Sequence, residues 1–282
     1  MNYRHVYHAG NFADVFKHAV FARLIDYLKR KDQAFRVIDT HAGTGLYDLS
    51  SQEAAKTGEW IDGVGRVVAA TLPEPAQDLL EPYLSIVRSH FADGALVSYP
   101  GSPEIARQLI RRQDRISLCE LHPVDHETLA GRFAGDFQVR VMHLDGWLVP
   151  GAHVPPKEKR GLVLIDPPFE EPGEFDRLAD TLAKGVKRWP GGIFALWYPI
   201  KDEAAVARFV SGLKESGIGK LLRTELWVRG PGAGAGFRGS GLIIRNPPFT
   251  LARELETMLP ALAEMLAQGE GAGWRAEMLA GE

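Results

Sequence analysis

Cysteine is almost absent from this chain of 282 residues, where Cys119 stands alone. One thiol closes no internal disulfide and builds no thiolate zinc set, so a disulfide-stapled extracellular fold and a cysteine-ligated metal are both excluded. Long apolar runs are missing too. None approaches the ~20 residues of a membrane span, and the N-terminal MNYRHVYHAG has no apolar stretch of the signal-peptide kind, so a cytoplasmic protein with no membrane contact is expected. Of nine histidines, His5, His8, His18 and His41 crowd the first part of the chain, but these four have no helical metal spacing with a partner acid, and no metal is expected. A net excess of either charge is missing as well: a formal net charge of −3 argues against a broad basic surface for nucleic acid. It hides an asymmetry, because residues 1–36 hold seven Lys or Arg against three Asp. That excess suits a small basic patch facing a polyanion at a site mouth, or a solvated helix face.

What the chain does have is RGLVLIDPPF, from Arg160 to Phe169. Gly161 to Ile165 is a continuous apolar run of the kind that fills a central parallel strand covered on both faces. Asp166 stands where that strand stops, at the carboxyl edge where open α/β sheets bind ligands. Pro167 and Pro168 fix the backbone after it, so the Asp166 carboxylate and the Pro167 carbonyl are held beside the ring of Phe169. Two rigid acceptors and an aromatic face suit an exocyclic amine: the acceptors draw on its two N–H bonds while the ring stacks on the base. A plain turn after a strand uses the same residues, so the context of the motif has to decide.

That context is a succession of strands ending in acids. Asn11 and Asp14 read as an N-cap and its N3 companion for a helix whose apolar stripe runs from Phe12 to Leu28, with Lys17 and His18 off the stripe. A short strand then reaches Asp39 and the turn THAGTG, where Gly43 and Gly45 let the backbone approach a ligand or simply turn the chain. Residues 46–97 change pattern into two helical runs and read as a helical insertion. At YPGSP, Ser102 and Pro103 carry N-cap and N1 chemistry for a new helix. The strand ISLCEL brings Glu120 to the place where a doubly wound nucleotide domain keeps an acid for ribose hydroxyls. A third strand ends at Asp145-Gly146, and Asp166 follows the fourth. Two more strands, 192–199 and 221–228, alternate with helices. The Gly-rich stretch PGAGAGFRGSG then leads to strand 242–244, which is expected to pair antiparallel because no crossover precedes it. A second motif, RNPPF at Arg245 to Phe249, therefore falls on the opposite sheet edge and reads as structural. A leucine-rich helix and a short tail around Trp274 close the chain.

Six parallel strands with one antiparallel strand near the end, acids at strand ends and DPPF after the fourth strand resemble a class I S-adenosylmethionine-dependent methyltransferase, a Rossmann-like α/β fold. YRHVYHAGNFADVFKH, DTHAGTG, YPGSP, ELHP, LIDPPF and ALWYPI together resemble the large-subunit ribosomal RNA methyltransferase J family, which methylates N6 of an adenine in 23S rRNA. The resemblance covers nearly the whole chain, a core of 1–45 and 98–282 together with the insertion at 46–97. It implies S-adenosylmethionine as cofactor and 23S rRNA as partner, and a monomer is the expected state. It implies further that His18, His41, Ser102, Glu120, Asp145, Gly146 and Asp166 border the cofactor, with Gly43 in the same turn, and that Tyr3 meets the RNA. Phe169 stands where the motif usually carries Tyr, which keeps the stacking face and drops a hydroxyl. The alternatives are a DNA adenine-N6 or cytosine-N4 methyltransferase, a nicotinamide-dependent oxidoreductase, and an RNA-binding assembly factor without chemistry.

Overall fold

In the computed structural model, which describes residues 5–231 and 236–281, helix α1 (Phe12–Lys29) begins at a reciprocal cap. Asn11 Oδ1 accepts from the N–H groups of Ala13 and Asp14, while Asp14 accepts from the Gly10 N–H. Burial extends almost all round α1, and it takes in Asp14, Lys17, His18 and Arg23 along with the apolar stripe. A helix that is buried on every side needs partners for its polar groups, and several of these belong to the site described below.

The main sheet has eight strands: β1 Arg36–Asp39, β2 Arg115–Glu120, β3 Val139–His143, β4 Gly161–Ile165, β5 Ile193–Ile200, β6 Leu221–Trp227, β7 Gly239–Arg245 and β8 Gly273–Ala280. Their order is 3-2-1-4-5-7-6-8. The first six run parallel, while β7 enters antiparallel between β5 and β6. The carboxyl ends of the parallel strands therefore share one edge. Strand order reverses between β1 and β4, and that reversal opens the crevice where such sheets bind ligands. All five residues of β4 are buried, as a central strand covered on both faces must be.

The count of seven strands expected from sequence is corrected by β8. The tail around Trp274 is an edge strand antiparallel to β6, with Arg223 opposite Glu277 and Glu225 opposite Arg275. Opposite charges directly across a ladder stabilise it by a few tenths to ~1 kcal/mol each. They explain why this charged segment joins the sheet.

Helices cover both faces. On one lie α1, α2 (Glu74–Arg88), α3 (Ser102–Leu109), α4 (Pro123–Arg132) and α7 (Leu251–Met265); on the other lie α5 (Glu174–Arg188) and α6 (Glu203–Glu215). The 46–97 segment leaves and returns at one point, because Leu46–Asp48 pairs antiparallel with Ser98–Pro100. Besides α2 it contains helices Gln52–Thr57 and Arg66–Ala69, a π-helical turn at Ile61–Gly65, and a short hairpin at 91–96. Val64, Tyr83 and Leu84 are fully buried in the same apolar cluster as Phe16 and Val20 of α1. The segment thus shares its core with the sheet's own covering helix.

Candidate active site

A cavity of about 490 Å³ opens at the carboxyl edge of the parallel strands, within the range of small-molecule sites. The loops after β1, β2 and β3 line one half of it, and the loop after β4 with the N-terminal segment, α1, Glu59 and Trp197 lines the other.

In the first half, Glu120 ends β2 with each oxygen on one backbone amide: Oε2 accepts from Gly43 N–H at 2.8 Å, and Oε1 from His122 N–H at 2.7 Å. The carboxylate is fixed, with lone pairs left for hydroxyl donors. Gly43 has φ +61, and a Cβ there would lie 2.2 Å from the Tyr47 hydroxyl, so glycine is required. Gly146 is required for a different reason, since a Cβ would lie 1.9 Å from the Thr40 carbonyl oxygen. Asp145 caps the turn that follows, accepting from Trp147 N–H at 3.0 Å, and meets Arg177 at 3.3 Å. The Arg177 guanidinium lies 4.5 Å from the Trp147 ring, on which His41 packs edge-on. Burial, reinforced by Arg177, pushes His41 down to about 3. Its Nδ1 lies 2.7 Å from Thr40 Oγ1, which donates to the Leu164 carbonyl, so Nδ1 carries the proton and Nε2 is left as an acceptor.

Asp39 lies beneath this half. Ser102 Oγ donates to Asp39 Oδ2 at 2.6 Å. Burial raises the Asp39 carboxyl to about 6, the Ser102 hydrogen bond opposing and the Asp166 charge adding to the rise. Ser102 is not the N-cap that its sequence context suggests. Gly101 occupies that position, and Ser102 is the first helical residue with its hydroxyl spent on Asp39.

In the second half, Asp166 Oδ2 accepts from Lys17 Nζ at 2.5 Å, and Asp14 lies 2.8 Å from the same ammonium. Burial alone would lower the Lys17 ammonium, yet the Asp14 and Asp166 carboxylates outweigh it and raise it. Burial would likewise raise Asp14, but the neighbouring His5 and Lys17 hold it well below the usual carboxylate range. His18 is kept neutral by burial and by the Lys17 charge, with Nδ1 2.7 Å from the Tyr99 hydroxyl, which in turn meets Tyr83. His18 lines the cavity. Pro167 and Pro168 line it as well. Phe169, expected to face the substrate, instead stands behind the wall with its ring edge-on to Phe175 and Trp197, at 4.9 and 5.8 Å. The cause is local packing, because these two rings already fill its face. Its backbone has φ +50, a costly conformation for a residue other than glycine. Tyr3 lies outside the described residues.

The structure therefore brings His18, His41, Gly43, Ser102, Glu120, Asp145, Gly146, Asp166 and Pro167 to one cavity. Residues not expected there from sequence join them. Lys17 had a signal, as a cation off the apolar stripe. Glu59 had none: it reaches in from the 46–97 segment to meet His8 at 3.0 Å and Asn11 at 2.9 Å. Trp197, inside an apolar strand, also gave no separate signal. Among the described residues no three His, Cys, Asp or Glu side chains are grouped to hold a metal ion.

Comparison with known proteins agrees with this geometry. The family model described as ribosomal RNA large subunit methyltransferase D, RlmJ, matches residues 32–279. The chain is 41% identical over 272 residues to ribosomal RNA large subunit methyltransferase J of Escherichia coli (strain K12), spanning 96% of each. It is 40% identical over 283 residues to the protein of the same name from Haemophilus influenzae, spanning 100% of each. A solved structure from Legionella pneumophila str. Philadelphia 1 superposes with a TM-score of 0.88 at 34% identity, covering 96% of this chain and 98% of that one.

Proposed function

The chain belongs to the ribosomal RNA large subunit methyltransferase J family and is a methyltransferase of large-subunit rRNA, and from that premise we propose that it methylates the N6 amine of an adenine in 23S rRNA. The observation that carries this reading is the carboxylate of Asp166, at the end of a fully buried strand, fixed by Lys17 and followed by two prolines that line the same cavity.

The cavity suits S-adenosylmethionine. Nine carboxylates against three Lys or Arg line it, which favours a sulfonium, and Glu120 is held by two amides with acceptors to spare for the ribose hydroxyls. His41, Ser102, Asp145 and Gly146 would border the cofactor on the side of β1 and β3. When bound, S-adenosylmethionine supplies an electrophilic methyl group that is already activated. The chain's own task is then mainly alignment. Asp166 and the Pro167 carbonyl accept the two amine hydrogens and orient the nitrogen lone pair toward the methyl carbon. Lys17 holds the carboxylate in place, and Asp166 is the carboxylate positioned for the proton that the nitrogen releases afterwards. A stacked adenine cannot reach this depth, so the target is single-stranded or flipped. Phe169 packs on Phe175 and Trp197 behind the Pro167–Pro168 wall and supports the motif from there.

Family membership favours RNA over a DNA adenine or cytosine substrate and over nicotinamide chemistry. An intact DPPF and the full set of strand-end acids favour an enzyme over an inactive assembly factor. The test is Asp166→Ala, which should abolish methyl transfer in a folded protein, while Asp166→Asn, still offering one carbonyl oxygen, should keep a trace. Wild-type turnover by the alanine variant would remove Asp166 from the chemistry.

A further inference from the structure

The cavity lining has the wrong sign for a polyanion. Its excess of carboxylates suits a sulfonium and an amine but repels RNA phosphates, so the affinity for rRNA has to come from elsewhere. The opposite edge of the sheet carries the reverse charge. Three loops there, 29–36, 111–115 and 157–160, contain ten Lys or Arg against three Asp or Glu, in a chain whose formal net charge is −3.

These loops form one surface. They lead into β1, β2 and β4, where Arg36 is in register with Arg115 on one side and Gly161 on the other. Arg36 holds Glu158 through two hydrogen bonds, Arg111 reaches the Lys31 and Gln33 carbonyls, and Arg160 reaches those of Leu28 and Gln33. The structural arginines thus fix the loops and leave other cations outward. Lys31, Arg112, Lys157 and Lys159 are exposed and make no ion pair among the described residues. Aromatic rings are interleaved with them. Phe137 is 65% exposed with the Arg115 guanidinium 5.3 Å from its ring; Phe249 is 84% exposed and meets Tyr27, over which Arg30 lies at 5.3 Å. Cations for phosphates beside open aromatic faces are the chemistry of an RNA surface.

We propose that this edge is a second RNA-binding surface, which grips the phosphate backbone of the rRNA away from the methylated base. The proposal rests on the rRNA methyltransferase reading above. β1, β2 and β4, of four, six and five residues, at ~3.3 Å per residue set the two sheet edges roughly 15–20 Å apart. A single nucleotide cannot touch both, whereas a folded rRNA segment wrapped over one side of the molecule can. The division of labour follows: the acidic cavity handles cofactor and base, and the basic edge supplies affinity.

The test is a variant with Lys31→Gln, Arg112→Gln, Lys157→Gln and Lys159→Gln together, compared with wild type and with an equal-charge control, Lys184→Gln, Lys187→Gln, Arg208→Gln and Lys214→Gln on α5 and α6. Binding to unmodified 23S rRNA is followed against salt, with KM for RNA, kcat, and S-adenosylmethionine affinity by calorimetry. The edge variant should raise KM at least tenfold and flatten the salt dependence of log K by roughly 3 to 4, near 0.9 for each phosphate that is no longer neutralised. It should leave kcat and cofactor affinity unchanged, and the control should stay close to wild type. An edge variant with wild-type KM and salt slope would overturn the proposal and leave the patch to a protein partner or to none. An equal defect in the control would overturn it by showing a general charge effect. Wild-type protein that methylates no rRNA would remove the underlying reading, and the proposal with it, before any variant is compared.

Discussion

Glu120 offers the sharpest single-residue check on the cofactor half of the cavity. Its carboxylate holds the loops after β1 and β2 together through Gly43 and His122, and hydrogen bonds to a charged group contribute about 1.5–3 kcal/mol each. Glu120→Ala should therefore weaken S-adenosylmethionine binding more than tenfold on calorimetry, and an unchanged dissociation constant would take Glu120 out of the site. Asp39 makes a pH prediction. Burial raises its carboxyl to about 6 in the folded protein, so its contribution to stability is complete below the ordinary carboxylate range and is lost as pH rises through about 6. The stability of wild type relative to Asp39→Asn, from denaturant melts, should fall between about pH 4 and about pH 7 by at most ~3 kcal/mol, at ~1.36 kcal/mol for each pH unit between the two values. A flat difference would mean that Asp39 titrates normally. Among single residues, the sequence was legible where backbone geometry dictates side-chain place, as for Asp166, Glu120 and Asp145 at strand ends. It was misleading at Ser102, where a residue with every mark of an N-cap turns its hydroxyl to a buried carboxylate.

Two proline motifs separate the elements. DPPF follows β4 at the carboxyl edge, while RNPPF follows β7, which runs the other way. Asn246 accordingly donates its backbone N–H to the Lys220 carbonyl and its side-chain amide to the Gly191 carbonyl, at the starts of β6 and β5. The absence of a crossover before β7 made its direction legible in the sequence. Phe169→Ala should lower turnover by loosening the packing behind Pro167 and Pro168, with little change in cofactor affinity. Phe249→Ala should spare turnover per folded molecule, measured at saturating cofactor and RNA with circular dichroism as the folding reference. Equal turnover defects would contradict the assignment of motif to edge. β8 was the element missed. Trp274 and Ala276 alternate with Arg275 and Glu277 and pack on the core, a short period-2 signal, and the strand's pairing lies in charge order: Arg223 and Glu225 in β6 face Glu277 and Arg275 when the two segments run antiparallel. Nothing in a single segment reveals that complementarity.

In the molecule as a whole, the cavity is a product of chain topology. The sheet supplies one wall from loops far apart in sequence, and α1 with the 46–97 segment closes the other through Lys17, Asn11 and Glu59. The strand-end acids announced the first wall, because each follows its own strand. The second depends on tertiary pairings between segments with no shared pattern. For that reason the residues lining the first wall were legible in the sequence, and those of the second only at Asp166 and Pro167. We propose that 46–97 is an insertion in the connectivity of the sheet rather than a separately packed unit, since it shares one apolar cluster with the core. What the whole assembly is proposed to do comes down to a polymer and an atom, adenine N6 in 23S rRNA. The decisive experiment offers tritiated S-adenosylmethionine to unmodified 23S rRNA, then digests the product to nucleosides for chromatography. Label should appear in N6-methyladenosine with wild type and nowhere with Asp166→Ala; label in any other nucleoside, or transfer to DNA in preference to rRNA, would contradict the proposed reaction.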